Sequence, residues 1–249
     1  MAVDLKGMSV LITGASRGIG RATALQLAER GAALTLAARN YAPLSRVAED
    51  VRQRGGQAIA VPADVTQRAQ VSDLVSEAVA TWGRIDALMN CAGQGVIRPA
   101  LELSDDDIDR MLSVNTKGVI LVTQAVVGEM LKTAAQRAPG RPVGRVITPV
   151  GTMGRYVMRG SAAYSASKWG AAGALKAMAT EFQRQGVQFT LLYLGGVDSN
   201  FWDTIDMPVQ RDKMLRPDEA ADAILRALEA PAHSVLNEVV LQPESHQYL

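Results

Sequence analysis

Short, almost wholly apolar runs alternate with longer amphipathic ones along the whole chain. This alternation restricts the fold more than any other feature. Ser9-Val-Leu-Ile-Thr13, Ala33-Leu-Thr-Leu-Ala-Ala38 and the segments 57–61, 85–90, 145–149, 187–193 and 235–241 have the length and β-branched content of strands. Segments 17–30, 43–54, 67–82, 104–132, 161–184 and 217–229 carry helical periodicity. Gly55-Gly56 and Gly83 stop two of them, and Ser104-Asp-Asp-Asp107 starts another with acids that complement the helix dipole. Strands that are apolar on both faces, each followed by a helix, predict an α/β fold with a doubly wound, seven-stranded parallel sheet and helices on both faces. The crossovers are expected to be right-handed. Segments 133–144 and 198–215 lack periodicity and are expected to be loops.

The 249 residues suit one α/β domain spanning 1–249. Net charge is +1 with acids and bases interspersed, which gives no clustered basic face for nucleic acid. No apolar run in the sequence reaches the ~18 residues of a spanning helix, and residues 1–9 do not resemble a secretory signal, so no membrane association is expected. Cys91 is the only cysteine, which excludes an intramolecular disulfide and suits the reducing cytoplasm. The two histidines, His233 and His246, are far apart and are expected at the surface, so no metal site is expected.

Two short motifs carry chemistry. Thr13-Gly14-Ala15-Ser16-Arg17-Gly18-Ile19-Gly20 leaves the first strand and opens the first helix. Glycines there permit a tight turn and close backbone approach, and the helix start presents free N–H groups and a positive dipole end. The context points to a dinucleotide. Tyr164-Ser-Ala-Ser-Lys168 sets a phenol and an ammonium at i and i+4, on one helix face. A cation beside the tyrosine is expected to lower its pKa from about 10 and suit it to moving a proton to or from a carbonyl or alcohol oxygen.

With Asp64-Val65, Asn90-Cys91-Ala92-Gly93 and Asn115 in the same order, nearly the whole chain resembles the short-chain dehydrogenase/reductase family. The resemblance implies a single-domain Rossmann fold and hydride transfer between a nicotinamide cofactor and a carbonyl carbon. It makes Gly14, Ser16, Arg17, Gly18, Ile19 and Gly20 the pyrophosphate loop. Asp64 and Val65 become adenine contacts, though Asp64 also suits a plain turn. Asn90, Ala92 and Gly93 form the cofactor floor, and Cys91 is a small buried residue and not a nucleophile. Family members that use NAD carry an acid near the end of the second strand. Here that strand ends in Ala38-Arg39-Asn40, and Arg39 and Arg17 are placed to pair with a 2′-phosphate. NADP(H) is therefore expected over NAD(H).

By the same resemblance Tyr164 gives a proton to the developing alkoxide, Lys168 holds the nicotinamide ribose, and Asn115 anchors a water relay to the lysine. The family also uses a serine ahead of the tyrosine, and counting back at the family's spacing reaches Gly151 in Ile147-Thr-Pro-Val-Gly151-Thr152-Met-Gly154. One missing donor of this kind typically costs on the order of 10²–10³ in rate. Three readings stay open: Thr152 supplies the hydroxyl, water or a substrate group fills the gap, or the chain binds NADP(H) with little turnover.

Leu194-Gly-Gly-Val197-Asp-Ser199 resembles the family's turn after the sixth strand, with Val197 and Ser199 meeting carboxamide and pyrophosphate. Phe201, Trp202, Ile205, Met207 and Met214 suit an apolar lid over 198–215, and Met153, Tyr156 and Met158 suit pocket lining. A small, moderately apolar carbonyl or alcohol substrate is expected, since no group of extra basic residues demands a highly anionic one. The resemblance further implies a homodimer or homotetramer.

Overall fold

Apolar character on both faces of each strand is met by burial on both faces of one sheet. The computed structural model describes residues 3–137, 140–205, 207–245 and 247. His246 and parts of both expected loops lie outside them. Strands β1 (Ser9–Thr13), β2 (Ala33–Ala38), β3 (Gln57–Pro62), β4 (Ala87–Asn90), β5 (Gly144–Pro149), β6 (Val187–Leu194) and β7 (Glu238–Leu241) form a seven-stranded sheet in the order β3-β2-β1-β4-β5-β6-β7. Every pairing is parallel. The order reverses between β1 and β4, which opens a crevice at their carboxyl ends, where ligands of such sheets bind.

Helices α1 (Gly18–Glu29), α2 (Tyr41–Gln53) and α7 (Pro217–Glu229) pack Leu27, Val47 and Ile224 into one core cluster. Helices α3 (Arg68–Trp82), α5 (Val119–Lys132) and α6 (Ala162–Phe182) pack Leu74, Val126 and Leu175 into the other. The fold is thus the doubly wound α/β architecture the sequence predicts. Two elements differ. β7 begins at Glu238, three residues later than its apolar run, because only from there does it pair with β6. The expected single helix from Ser104 is α4 (Asp105–Leu112) and α5 joined by a π turn at Ser113–Gly118. The stretch Asp105–Lys132 is long and apolar enough, by length and mean composition, to cross a bilayer; half of its most apolar window is buried inside the protein.

Polar groups fix the sheet's ends. Buried Arg145 of β5 donates to the carbonyls of Leu228 and Ala230 and to Gln188, which closes the C-terminal end of α7 against the sheet. The 198–215 excursion is pinched at its base by a bridge between Val197 and Leu215 and by the Asp198 N–H donating to the Leu215 carbonyl at 2.8 Å. It holds two 3-10 turns, Asn200–Thr204 and Arg211–Lys213.

Candidate active site

The chain leaves β1 at Thr13 and turns at Gly14, whose φ is +65°. A Cβ there would lie 2.6 Å from the Ala92 nitrogen, so only glycine lets this loop press against the exit of β4. Thr13 locks the contact, its Oγ1 accepting from the Ala92 N–H at 3.2 Å. A Cβ at Gly20 would meet the Gly14 carbonyl oxygen at 2.5 Å, which seats α1 directly on the loop. The start of α1 has no side-chain cap and no acid in its first turn. Its free N–H groups and positive dipole end are open to an anion. Gly14, Ser16, Arg17, Gly18, Ile19 and Gly20 line one edge of a cleft of about 1350 Å³. Across it, a Cβ at Gly18 would lie 3.5 Å from the Ser199 Cβ, and Val197 lines the same wall.

Arg39 follows β2 and is exposed on the cleft rim with Arg17. Neither makes an ion pair among the described residues. Asp64 and Val65 line this end as well. Asp64 is also a turn residue, its Oδ1 accepting from the Thr66 N–H at 2.9 Å and the Thr66 hydroxyl at 2.8 Å.

Tyr164 and Lys168, one turn apart on α6, reach the other half of the cleft together with Ala92 and Gly93. The Lys168 ammonium lies 5.7 Å from the centroid of the Tyr164 ring. Burial pushes the Tyr164 phenol above its ordinary value, which reverses the sequence expectation. The ammonium is set against the ring, and loss of solvent dominates. Burial likewise lowers Lys168 to about 8. The Cys91 thiol is pushed up to about 12 by burial against a smaller lowering from Lys168, so it stays protonated and poorly nucleophilic.

The two asparagines are braces. Asn90 is buried beneath the cleft and does not line it. Its Nδ2 donates to Thr123 Oγ1 at 3.0 Å and Thr148 Oγ1 at 3.1 Å, so its side chain is taken up by the protein beneath the expected cofactor site. Asn115 sits in the π turn, a distortion common at functional sites. Its Nδ2 donates to the Gln94 carbonyl at 2.7 Å and Ser167 Oγ at 2.9 Å, and its Oδ1 accepts from the Gln94 N–H at 2.9 Å. Both amide protons are thus used by protein, and one acceptor position on Oδ1 is left near Lys168. A Cβ at intervening Gly93 would lie 3.4 Å from that oxygen and 3.6 Å from the lysine nitrogen.

Gly151 faces Tyr164. A Cβ at Gly151 would lie 3.9 Å from the Tyr164 hydroxyl and 3.8 Å from the Leu194 carbonyl oxygen. The residue after it, Thr152, is buried at the head of a 3-10 turn and lines the same cleft.

A glycine-lined crevice at the sheet's switch point, with a tyrosine–lysine pair at one end, agrees with what comparison with known proteins finds. The family model described as short chain dehydrogenase matches residues 8–209. The chain belongs to the short chain dehydrogenase family. An uncharacterised oxidoreductase of Listeria monocytogenes is 30% identical over 99% of this chain and 100% of its own length. Among solved structures, an alcohol dehydrogenase from the archaeon Thermococcus sibiricus, complexed with 5-hydroxy-NADP, superposes with a TM-score of 0.87 at 26% identity, over 97% of this chain and 99% of that one. A 3-ketoacyl-(acyl-carrier-protein) reductase from Brucella melitensis, complexed with NADH, gives 0.85 at 25% identity, over 96% and 98%. The chain is an oxidoreductase of the short-chain type.

The 198–215 excursion of this short-chain dehydrogenase lies against its tyrosine. The Phe201 ring is 5.5 Å from the Tyr164 ring, and a Cβ at Gly95 would lie 2.6 Å from Phe201. Arg211 clasps the base of this excursion, donating to Asp198 at 2.6 Å, Asp203 at 2.8 Å and the Ser199 carbonyl at 3.0 Å. Met153, Met158, Met207 and Met214 line the cleft. Two expected residues do not. Ile205 is buried, and Tyr156 lies under the Arg155 guanidinium, 5.9 Å from its ring centroid. The sequence reading missed Gly95, although Gly93-Gln94-Gly95 is itself a signal of close approach.

Substituting Gly14→Ala should lower unfolding free energy by about 1–3 kcal/mol or more and weaken NADPH binding. Chemical denaturation and fluorescence titration read the two effects, and unchanged values would remove the Gly14–Ala92 contact from the account.

Proposed function

We propose that this chain transfers a hydride from NADPH to the carbonyl of a small, moderately apolar ketone or ketoacyl compound, with Tyr164 as the proton donor. The observation that carries this reading is the Tyr164 hydroxyl in the cleft, with Lys168 behind it and position 151 in front. Bound NADPH supplies the hydride. The residues supply the rest. A phenol held above its ordinary pKa by burial stays protonated, as a donor to an alkoxide must. Lys168, charged below about pH 8, favours release of that proton and holds the ribose. Asn115 clasps Gln94 and so fixes the wall beside the lysine. Gly14 to Gly20, Ala92, Gly93, Val197 and Ser199 cradle the dinucleotide, with Asp64 and Val65 at the adenine. Arg17 and Arg39, without ion-pair partners among the described residues, favour a 2′-phosphate and hence NADP(H) over NAD(H).

Gly151 bears on turnover. It removes the hydroxyl expected beside Tyr164 and leaves Thr152 or a solvent or substrate group to hold the carbonyl oxygen. It is also the observation that favours a second reading, an NADP(H)-binding protein with weak or no turnover. Retention of Tyr164 and Lys168 in one cleft favours the enzyme. Homodimer or homotetramer assembly belongs to the reading too, with half-exposed Trp169 on α6 offering apolar surface for it.

NADPH oxidation with a panel of ketones, β-ketoesters and ketoacyl thioesters tests the proposal. Tyr164→Phe should cut kcat by about 10²–10⁴ with NADPH affinity retained; NADPH binding without reduction of any panel member by the native protein would favour the second reading. The pH dependence has a definite sign. Lys168 loses its proton as pH rises through about 8, so kcat/KM for reduction should fall above that pH, and Lys168→Ala should lack this limb. A limb that persists in Lys168→Ala would assign it elsewhere. Gly151→Ser places its Cβ at ordinary van der Waals distances but at a φ of +84°, so it should cost about 1–3 kcal/mol of stability while keeping or raising activity. Complete loss of ketone reduction in a folded Gly151→Ser protein would contradict the placement of position 151.

A further inference from the structure

The wall formed by segment 94–98 holds a charge arrangement that hydride transfer does not use. Segment 94–98 leaves β4 and is fixed at three points. Asn115 clasps Gln94, Met111 Sδ accepts from the Val96 N–H at 3.3 Å, and the Arg98 N–H donates to the Gly160 carbonyl at 3.0 Å. Gly160 lies just before α6, so Arg98 is tied to the element that carries Tyr164. Its side chain is about half exposed and lines the cleft.

Among the described residues Arg98 has one side-chain partner, Asp107, at 3.1 Å. Asp107 is buried near the start of α4, its N–H donating to Ser104 Oγ at 3.2 Å, and it also takes Arg110 at 2.9 Å. Two guanidinium groups therefore share the one Asp107 carboxylate. Arg98 commits one terminal nitrogen to Asp107, and the rest of its five-donor fork is available. Val96, Ile97, Met153 and Met158 make the surface of the same cleft apolar.

We propose that the substrate is an oxo-carboxylate: its carbonyl meets Tyr164, its apolar stem lies along the methionine wall, and its carboxylate takes the free donors of Arg98. The proposal rests on the reductase reading above and narrows its substrate. A planar carboxylate matches the free part of the guanidinium fork.

Levulinate and longer linear oxo acids, each beside its methyl ester, test this in the full-length protein with NADPH. The native protein should prefer the acid by roughly 10–100-fold in kcat/KM, the range of a charged hydrogen bond. That ratio should collapse towards unity in Arg98→Met and be partly kept in Arg98→Lys. Asp107 keeps Arg110 and Ser104 in both variants. A parallel calorimetric titration of the corresponding hydroxy acids into the NADP⁺-loaded protein should show the same loss of affinity in Arg98→Met. Native protein that reduces esters as well as acids, or an acid preference unchanged in Arg98→Met, overturns the proposal. If acids bind in an Arg98-dependent way but nothing is reduced, the reductase reading fails and the carboxylate site stands. If neutral ketones are reduced and the acids neither bind nor react, the carboxylate site fails and the reductase reading stands.

Discussion

The approach of Gly14 to the Cys91–Ala92 backbone is the constraint on which the rest of this molecule depends. β1 and β4 are neighbours in the sheet, but the helices that follow them pack on opposite faces, α1 on one and α5 on the other. A crevice opens only if the two exits can diverge from a point of contact. A residue with a side chain at position 14 would hold them apart. Thr13 spans the contact, and the uncapped start of α1 rises directly from it. The anion-binding end of the cleft is thus a consequence of how the sheet reverses.

At the other end burial sets the chemistry. The Tyr164 phenol is raised, Lys168 falls to about 8 and Cys91 rises to about 12, all with loss of solvent as the leading cause. One low-dielectric pocket therefore keeps the phenol and thiol neutral, while the ammonium stays mostly charged up to about pH 8. That is a setting for proton donation to an alkoxide. Phe201, tilted against the tyrosine ring and admitted by Gly95, covers part of the tyrosine.

Much of this was legible in the residues. Seven apolar runs read as strands because a parallel sheet buried on both faces leaves that mark, and the glycine loop was legible because its spacing reports backbone geometry. Side-chain direction was not. Asn90 and Asn115 stand at motif positions, yet their amides are taken up by Thr123, Thr148, Gln94 and Ser167, partners distant in sequence. The π turn was hidden because its residues keep helical periodicity. The direction of the Tyr164 shift was missed because an i, i+4 pair reports proximity and says nothing of burial. Arg98 and Asp107 carry no spacing signal at all, since a loop and a helix start bring them together.

The central claim is that Tyr164 and Lys168, with glycine at position 151, form a working carbonyl-reducing centre. The most direct measurement uses NADPH deuterated at the transferred position, with mass spectrometry of the alcohol formed from a reducible ketone. The account predicts one deuterium at the carbinol carbon with the native protein and no detectable labelled alcohol, over the same time, with Tyr164→Phe. Deuterium transfer that is unaffected by Tyr164→Phe, or tight NADPH binding with no transfer to any carbonyl by the native protein, would contradict it.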